Sequence, residues 1–361
     1  MIYLNVAGLS PFKQAVQQEV TATFEQFSRL LYSDEGILYY RKTLQRCRQQ
    51  LAQWLQVEDA QNIAFVPNAT TASWLVLSRI NWKPGDQVLT TTHENSTVLR
   101  EILALQTHGV YVHMLDSNSP NELEAEIEHL LVSTQVRAIV ISHVSHIDGR
   151  IFPIERIYQL TQNHHALLIV DGAQAVGHIP VSFHDWQPDA YFFPGHKWCG
   201  GPMGTGALIL GQHFLQQKVP ATPNQKWDVH PPWTEFELGT QNIGLLAGLA
   251  KACNLKNQEG LKTTTLESMR QEIRLGLSKI SALQSLEWDG PHTSGILSFT
   301  TRDPSTTPAL LKAAQSSNPI IWKVFPLPTN TQHTGIRLSW EPETPRTVPQ
   351  FILRFLERHF E

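Results

Sequence analysis

Short apolar segments alternate with amphipathic segments through the first two thirds of this sequence, and this alternation limits the fold more than any other feature. Apolar residues recur at helical spacing over residues 42–56, and a short apolar run follows at residues 63–66. Short strands linked by helices are typical of an α/β protein whose mostly parallel sheet is covered on both faces. The pattern predicts seven strands, at residues 63–66, 87–90, 110–115, 138–142, 167–171, 190–193 and 206–210, and helices at residues 42–56, 70–80, 122–131 and 153–164.

The last third of the chain has a different organisation. The link between the strands at 190–193 and 206–210 is too short for a helical crossover, so we expect one of them to run antiparallel. Beyond it, the pattern predicts a long helical stretch from 243 to about 283, strands near 295–300 and 335–339, and a closing helix at 348–357. We therefore predict a large domain over residues 12–245 and a smaller α+β domain formed by residues 1–11 and 246–361.

Composition excludes several classes of protein. A net charge of −4 without a basic stripe argues against nucleic-acid binding. The three cysteines are widely separated and odd in number, which excludes a disulfide framework and a Cys-x-x-Cys metal ribbon. Residues 1–8 do not resemble a signal peptide, and no apolar run approaches membrane-spanning length. We predict a reduced, cytoplasmic protein without membrane contact, whose partners are small molecules and a second copy of itself.

A lysine in a glycine-rich turn and a carboxylate at a strand end are the main candidates for chemistry. Lys197 precedes the glycines of residues 194–206, so the turn is not a P-loop, and no dinucleotide-binding fingerprint is present. Asp171 follows an apolar strand, at the end where open α/β sheets bind ligands. A surface lysine and a helix cap are the simpler interpretations. The pair also fits pyridoxal phosphate (PLP), which needs an amine to link to and an acid to keep its ring nitrogen protonated.

Other segments could complete a PLP site. Residues 68–71 lie where a strand ends and a helix begins, and free amides and hydroxyl groups suit a phosphate there. His93 could stack on a flat ring or could be a solvated loop residue, and Gln174 could reach a ring hydroxyl. No metal site is predicted, because no acidic or thiol ligands accompany the remaining histidine clusters, at residues 143, 146, 164 and 165.

In order and spacing these segments resemble the class V aminotransferases of PLP fold type I, which include cysteine desulfurases, cysteine and cystine C–S lyases and isopenicillin N epimerases. The resemblance extends from residue 3 to Arg337. It implies that Lys197 forms the covalent link to PLP and that Asp171 faces the ring nitrogen. It further implies that Gln174 contacts the ring oxygen and that His93 stacks on the ring. The cofactor phosphate is assigned by the resemblance to Ala69, Thr70 and Thr71, with His196 nearby.

The resemblance also implies a homodimer with shared active sites. Residues 236–242 are similar to the Gly-Thr-x-Asn segment of the family, whose threonine, here Thr240, reaches the phosphate of the other subunit. Arg337 matches the arginine that binds the substrate α-carboxylate, a task that suits its planar fork. His146 stands where an asparagine usually faces the ring or the carboxylate, so we assign it to substrate binding.

Two further departures from the family bear on the reaction. Pro194 replaces a serine or threonine that offers the phosphate a hydroxyl group. Cysteine desulfurases carry a nucleophilic cysteine shortly before the carboxylate arginine, but residues 320–336 contain none. Lys323 lies near the place of a second arginine in cystine lyases, where it could bind a distal carboxylate or simply be a surface residue.

The leading hypothesis from the sequence is therefore β-elimination from cysteine, cystine or a related sulfur amino acid, without a persulfide-forming cysteine. Lys197 would take the Cα proton as general base. Transamination, or epimerisation at Cα, of another amino acid is an open alternative because it begins with the same proton removal. A catalytically silent scaffold is a second alternative, against which the intact pair of Lys197 and Asp171 argues.

Overall fold

The structure is a computed structural model that describes residues 1–219, 231–291, 293–315, 319–327 and 333–360. The helices are α1 (Gln14–Leu30), α2 (Asp34–Leu55), α3 (Ala69–Leu77), α4 (Ser96–Ala104), α5 (Pro120–Ser133), α6 (Ile154–His164), α7 (Gln212–Gln217), α8 (Ile243–Glu259), α9 (Thr263–Leu277), α10 (Thr307–Ala314) and α11 (Val348–Phe360). The strands are β1 (Ile2–Tyr3), β2 (Ile63–Phe65), β3 (Gln87–Thr91), β4 (Tyr111–Leu115), β5 (Val136–Ser142), β6 (Leu167–Asp171), β7 (Ala190–Pro194), β8 (Gly206–Leu210), β9 (Leu283–Ser285), β10 (Ile296–Thr301), β11 (Ile320–Ile321), β12 (Lys323–Pro326) and β13 (Thr334–Ser339).

A seven-stranded sheet forms the centre of the large domain, with strand order β2-β8-β7-β6-β5-β3-β4. Neighbouring strands from β7 through β4 pair in parallel, whereas β8 is antiparallel to both β7 and β2. The predicted α/β fold with a mostly parallel seven-stranded sheet is confirmed, as is the expected antiparallel strand.

Side chains of β6 show why this sheet needs helices on both faces. All of its residues are buried. Leu168 and Val170 pack into one hydrophobic cluster, and Leu167 and Ile169 pack into another. Since successive strand residues point to opposite faces, these clusters are the two helix-covered layers of the domain.

The small domain combines a second sheet with helices. Its strands have the order β12-β13-β10-β9 and pair antiparallel, while β1 pairs in parallel with β11. Leu4 shares a buried cluster with Met269, Leu338 and Trp340, so the first residues of the chain pack with its last third. Within the described ranges, no helix is long and apolar enough to cross a membrane.

The helical stretch predicted from 243 to about 283 consists of two helices, α8 and α9, and reaches residue 277. Helix α8 ends at Glu259, and the chain continues as α9 and then β9. Gly260, the residue after α8, has a φ of +67°, a value that residues with a side chain rarely adopt. Leu249 and Cys253 of α8 pack in the same cluster as Val170 of the large sheet. Helix α8 thus packs against the large sheet, and the predicted division at residue 245 stays a prediction.

Candidate active site

The sheet brings the main candidate residues to one edge. Asp171 ends β6 and pairs in register with Ser142, the last residue of β5. His93 follows the end of β3, and Lys197 follows the end of β7. Because these four strands are parallel, their carboxyl ends lie together, which is where α/β sheets bind ligands.

Lys197 lies in a tight turn between β7 and β8. Gly200 and Gly204 have φ values of +69° and +78°, which a residue with a side chain rarely adopts. The lysine is partly buried, and its ammonium makes no hydrogen bond or ion pair with the residues that the structure describes. Burial lowers its pKa to about 8, against the opposing effect of the Asp171 carboxylate. An amine with this pKa has a substantial neutral fraction near physiological pH.

Asp171 is only 3% exposed. One carboxylate oxygen accepts the Ala173 amide at 2.8 Å. Burial raises the pKa of Asp171, whereas the Lys197 ammonium and the Ala173 amide lower it. A buried carboxylate without a bonded cation is costly, so a positively charged ring nitrogen at this place would compensate it.

Gln174 is held at both ends of its amide. Its Oε1 accepts from the indole Nε1 of Trp198 at 2.6 Å, and its Nε2 donates to the Ala7 carbonyl at 3.0 Å. Trp198 stacks on His178 with the ring centroids 3.5 Å apart. This arrangement leaves one Nε2 hydrogen for a further acceptor, such as a ring oxygen. The contacts of Trp198 and His178 could not be predicted from the sequence, because nothing in the spacing of these residues indicates them.

His93 is buried and bonded to the loop that follows β5. Its Nδ1 lies 3.0 Å from Ser145 Oγ and 3.9 Å from an Asp148 carboxylate oxygen. Asp148 in turn pairs with Arg150 at 2.8 Å. Burial lowers the pKa of His93 to about 4, with Asp148 acting in the opposite direction. The ring is therefore neutral near pH 7, the state that suits stacking on a cationic ring. Sequence reasoning missed Ser145 and Asp148.

Arg337 projects from β13 and is 4% exposed. Its guanidinium donates to the His146 carbonyl at 2.7 Å and to Asn5 Oδ1 at 3.1 Å, while its buried Nε has no hydrogen-bond partner. It makes no ion pair in the part of the chain that the structure covers. A buried guanidinium without a counter-ion is a ready site for an anion such as a carboxylate.

Two residues near Arg337 differ in their accessibility. Lys323 pairs directly with Arg337 across β12 and β13 but is exposed. His146 is partly buried, and its Nδ1 donates to the His93 carbonyl at 3.2 Å. Burial, Arg337 and Lys197 together lower the pKa of His146 to about 3. Its Nε2 therefore carries a lone pair, whereas the asparagine of the family pattern would offer an N–H donor.

The predicted phosphate turn begins a helix at the same sheet edge. Ala69, Thr70 and Thr71 are the first residues of α3, and Asn68 caps the helix by accepting the Thr71 amide at 2.8 Å. Thr70 shares a hydrogen bond of 2.7 Å with Thr97 of α4. A helix N-terminus with free amides attracts an anion.

The two remaining predicted phosphate ligands lie in different environments. The Nδ1 of His196 is buried and has no hydrogen-bond partner among the described residues. Thr240 is exposed on the surface of this chain.

Neither a reactive cysteine nor a metal site is evident among the residues that the structure describes. Cys47, Cys199 and Cys253 are all buried and unpaired. Part of the predicted nucleophile loop, residues 328–332, lies outside the described residues. In the ranges that the structure describes, no group of three or more His, Cys, Asp or Glu side chains could hold a metal ion.

The donor set fits PLP. An unpartnered amine at Lys197, a buried acid at Asp171 and an orphaned nitrogen on His196 correspond to the aldehyde, ring nitrogen and phosphate of that cofactor. Arg337 adds a cationic site for the carboxylate of a bound amino acid. The individual contacts between these residues and PLP stay predictions.

Known proteins resemble this chain over most of its length. The family model described as aminotransferase class V matches residues 2–314. A probable cysteine desulfurase of Methanothermobacter thermautotrophicus is 24% identical over 82% of this chain and 77% of that protein. A cysteine desulfurase of Klebsiella pneumoniae is 29% identical over 71% of this chain, which spans 66% of that enzyme.

Solved structures agree in fold. The cystine C–S lyase C-DES, in complex with its reaction product cysteine persulfide, superimposes with a TM-score of 0.86 at 22% identity, over 98% of this chain and 96% of C-DES. The apo cysteine desulfurase of Thermococcus onnurineus gives 0.85 at 20% identity, over 99% and 94% of the two chains. With the family match, these similarities confirm the predicted PLP type I fold and the cofactor. The chain belongs to the class V aminotransferase family and is a PLP-dependent enzyme.

Proposed function

We propose that this enzyme catalyses β-elimination from cysteine, cystine or a closely related sulfur amino acid. The observation that carries the proposal is Arg337, a buried guanidinium with no carboxylate partner in the described chain, which lies in the electrostatic field of Lys197. An amino acid offers the α-carboxylate that such a site lacks. The names of the relatives support a sulfur amino acid, since they include cysteine desulfurases and a cystine C–S lyase.

Each residue of the site has a separate task in this reaction. PLP, when bound, supplies an electron-withdrawing ring that stabilises negative charge at Cα. Arg337 binds the α-carboxylate and fixes the orientation of the substrate. Lys197 Nζ takes the Cα proton, for which a pKa of about 8 is well matched to neutral solution. Asp171 keeps a negative charge beside the ring nitrogen, and His93 covers the ring as a neutral imidazole.

The burial of all three cysteines supports elimination without an enzyme persulfide. When the Cβ–S bond of the substrate breaks, the sulfur atom then leaves with the group that is bound to it, which is hydrogen in cysteine and the second half of the molecule in cystine. Cysteine and water would give pyruvate, ammonia and hydrogen sulfide, while cystine and water would give pyruvate, ammonia and cysteine persulfide. Both equations conserve atoms and charge, and neither requires an oxidant or reductant.

We further propose a homodimer with shared active sites, in the cytoplasm. The exposure of Thr240 supports this arrangement, because a threonine on the surface is available to a second chain. The capped N-terminus of α3 would bind the same phosphate from within the chain.

The decisive experiment supplies purified holoenzyme with cysteine, cystine and S-alkylcysteines and measures pyruvate, ammonia and released sulfur. Stoichiometric pyruvate and ammonia, lost in Lys197→Ala, would support β-elimination. Formation of a new amino acid from an added 2-oxo acid, with no pyruvate from any sulfur substrate, would refute it in favour of transamination. A persulfide found on Cys47, Cys199 or Cys253 by mass spectrometry during turnover would refute the proposal that sulfur leaves without transfer to the enzyme.

A further inference from the structure

An ion pair remote from Lys197 has no place in the proposed chemistry. Arg48 of α2 lies 2.6 Å from Glu237, a residue of the 236–242 segment that contains Thr240. The two side chains are only 4% and 3% exposed. Burying two charges costs more than a surface pair of the same geometry, and replacing such pairs by apolar residues is often tolerated. Holding a defined local arrangement is one reason for a protein to retain such a pair.

The contacts of this pair join three parts of the large domain. The Glu237 oxygen that pairs with Arg48 also accepts the amide of Phe65, at 2.8 Å, and Phe65 is the last residue of β2. The Arg48 guanidinium also donates to the carbonyl of Ile63, the first residue of β2. Its carbon lies 4.7 Å from the ring centroid of Phe65 and 4.3 Å from that of Trp233. Helix α2, strand β2 and the Thr240 segment are thus fixed to one another.

A second contact holds the other end of the segment. The hydroxyl of Tyr40, also on α2, accepts the amide of Gln241 at 2.7 Å. Thr240 therefore lies between two anchors, at Glu237 and at Gln241, and the partners of both, Arg48 and Tyr40, are on α2. Between them, Leu238, Gly239 and Thr240 are exposed.

Strand β2 connects this arrangement to the phosphate turn of the same chain. Four residues after Phe65, helix α3 begins with Ala69, Thr70 and Thr71. We propose that Arg48 and Glu237 are positioning residues that hold Thr240 in the conformation in which it reaches the cofactor phosphate of a second copy of this chain. The inference rests on the proposed shared-site dimer. Neither residue is among the predicted cofactor ligands, and their effect is expected in the partner's site through Thr240.

The first test compares Glu237→Gln with Glu235→Gln. Glutamine at 237 keeps an oxygen for Phe65 but loses the charge that attracts Arg48. We expect the Kd of apoenzyme for PLP to rise roughly tenfold, equivalent to one weakened hydrogen bond to a charged group. Glu235 is the matched control, since it is a carboxylate of the same region whose ion pair, at 2.5 Å, is with Lys218 instead of Arg48. An unchanged Kd in Glu237→Gln would overturn the proposal.

Mixed dimers separate positioning in trans from a general loss of structure. In the first mixed dimer, a Lys197→Ala chain pairs with a Glu237→Gln chain. The only intact Lys197 is then on the Glu237→Gln chain, and Thr240 reaches its site from the Lys197→Ala chain, in which Glu237 is intact. We expect wild-type retention of the Lys197-bound cofactor, measured by its absorbance after dialysis. In the second mixed dimer, a chain with both Lys197→Ala and Glu237→Gln pairs with a wild-type chain. The site with the intact Lys197 then takes Thr240 from the chain that lacks Glu237, and this site should lose cofactor. Loss in the first pairing, or equal loss in both, would overturn the proposal.

Two additional variants keep the outcome interpretable. Thr240→Val in the same pairings tests the shared site itself. If Thr240→Val acts in trans and Glu237→Gln does not, the inference fails while the proposed function stands. If neither acts in trans, the shared site fails and the inference fails with it. Should Glu237→Gln not fold, Tyr40→Phe removes only the second anchor, and we expect the same trans pattern with a loss of about threefold; its absence would overturn the proposal.

Discussion

The two ends of the candidate site differ in how the chain holds them. At the ring end, Asp171, Gln174, His93 and Arg337 are all buried, and each has a hydrogen bond to a fixed partner in the same chain. At the phosphate end, the chain offers the N-terminus of α3 and, on its surface, the exposed Thr240. We call these two sets the ring cluster and the phosphate segments, the latter comprising residues 68–71, 196 and 237–241.

We therefore expect changes in the ring cluster and changes in the phosphate segments to affect different measured quantities. The ring cluster is positioned by contacts within one chain, so changes there should alter the rate of chemistry or substrate binding. The phosphate segments contribute amides, hydroxyl groups and a surface threonine, so changes there should alter retention of the cofactor. Separate measurements of kcat, KM and the Kd for PLP can test the division.

The largest effect is expected for Lys197→Ala. Without its amine, the chain loses both the covalent link to the cofactor and the proposed base for the Cα proton. We expect the rate of pyruvate release to fall by at least about 10³-fold. Turnover within tenfold of wild type would contradict the role of Lys197 as the base. Exposed Lys323→Ala is a suitable lysine control, and we expect its rate with cysteine to be unchanged.

Arg337→Gln comes next in size. It removes a charge-assisted, two-point contact to the substrate carboxylate, so kcat/KM should fall by roughly 10²–10³-fold. Most of the loss should be in KM, because the contact is made before and during the reaction. Cofactor absorbance should stay at the wild-type level. A loss of cofactor equal to the loss of activity would instead place Arg337 with the phosphate segments.

The fold could be predicted because its strands leave a strong pattern. The central strands of the large sheet contain short apolar runs, as the burial of every residue of β6 requires. Strands β1 and β11 escaped detection, because two-residue strands that pair across most of the chain have no local signal. The break between α8 and α9 was not predicted, because the apolar spacing continues past Gly260, which follows the last residue of α8 with a positive φ.

The site was predictable only where a residue type and a strand end coincide. Asp171 and Lys197 could be chosen because the ends of parallel strands converge and the two side chains have complementary chemistry. The contacts of Trp198 with Gln174, and of Ser145 with His93, join residues 24 and 52 positions apart. Such pairs depend on the packing of loops, which apolar periodicity does not encode.

A smaller effect, at the phosphate end, is expected for Thr71→Val. The substitution keeps the shape and the backbone amide but removes a hydroxyl group at the start of α3. Loss of one hydrogen bond to a charged phosphate should raise the Kd for PLP by about tenfold. The kcat of the cofactor-saturated enzyme should stay within twofold of wild type. A large fall in kcat under saturation would remove the distinction between the two sets.

The pH dependence of PLP uptake is a further test of the distinction between the ring cluster and the phosphate segments. Burial lowers the pKa of Lys197 to about 8, so the neutral amine appears above that pH and the rate of PLP uptake by apoenzyme should rise with a midpoint near 8. The Asp171 carboxylate raises this pKa, so Asp171→Asn should move the midpoint to lower pH. Thr71→Val should leave the midpoint where it is. A midpoint near the ordinary lysine value in the wild type would contradict the inferred environment of Lys197.

The smallest effect concerns Glu94, a buried carboxyl beside the ring cluster that accepts from Thr91 at 2.6 Å and from Ser142 at 2.7 Å. Burial raises its pKa from 4.5 to about 7, so the folded chain binds this proton more tightly than the unfolded chain. Its contribution to stability is complete below pH 4.5 and is lost as the pH rises through 7. In Glu94→Gln this pH-dependent contribution to the free energy of unfolding is absent.

Relative to wild type, the free energy of unfolding of Glu94→Gln should therefore increase between pH 4.5 and 8, by on the order of 3 kcal/mol. Urea unfolding of the apoenzyme at several pH values measures the change, with exposed Glu128→Gln as the control. Equal pH slopes for Glu94→Gln and wild type would mean that Glu94 is ionised in the fold at neutral pH. The ring cluster would then contain a second fixed negative charge beside Asp171.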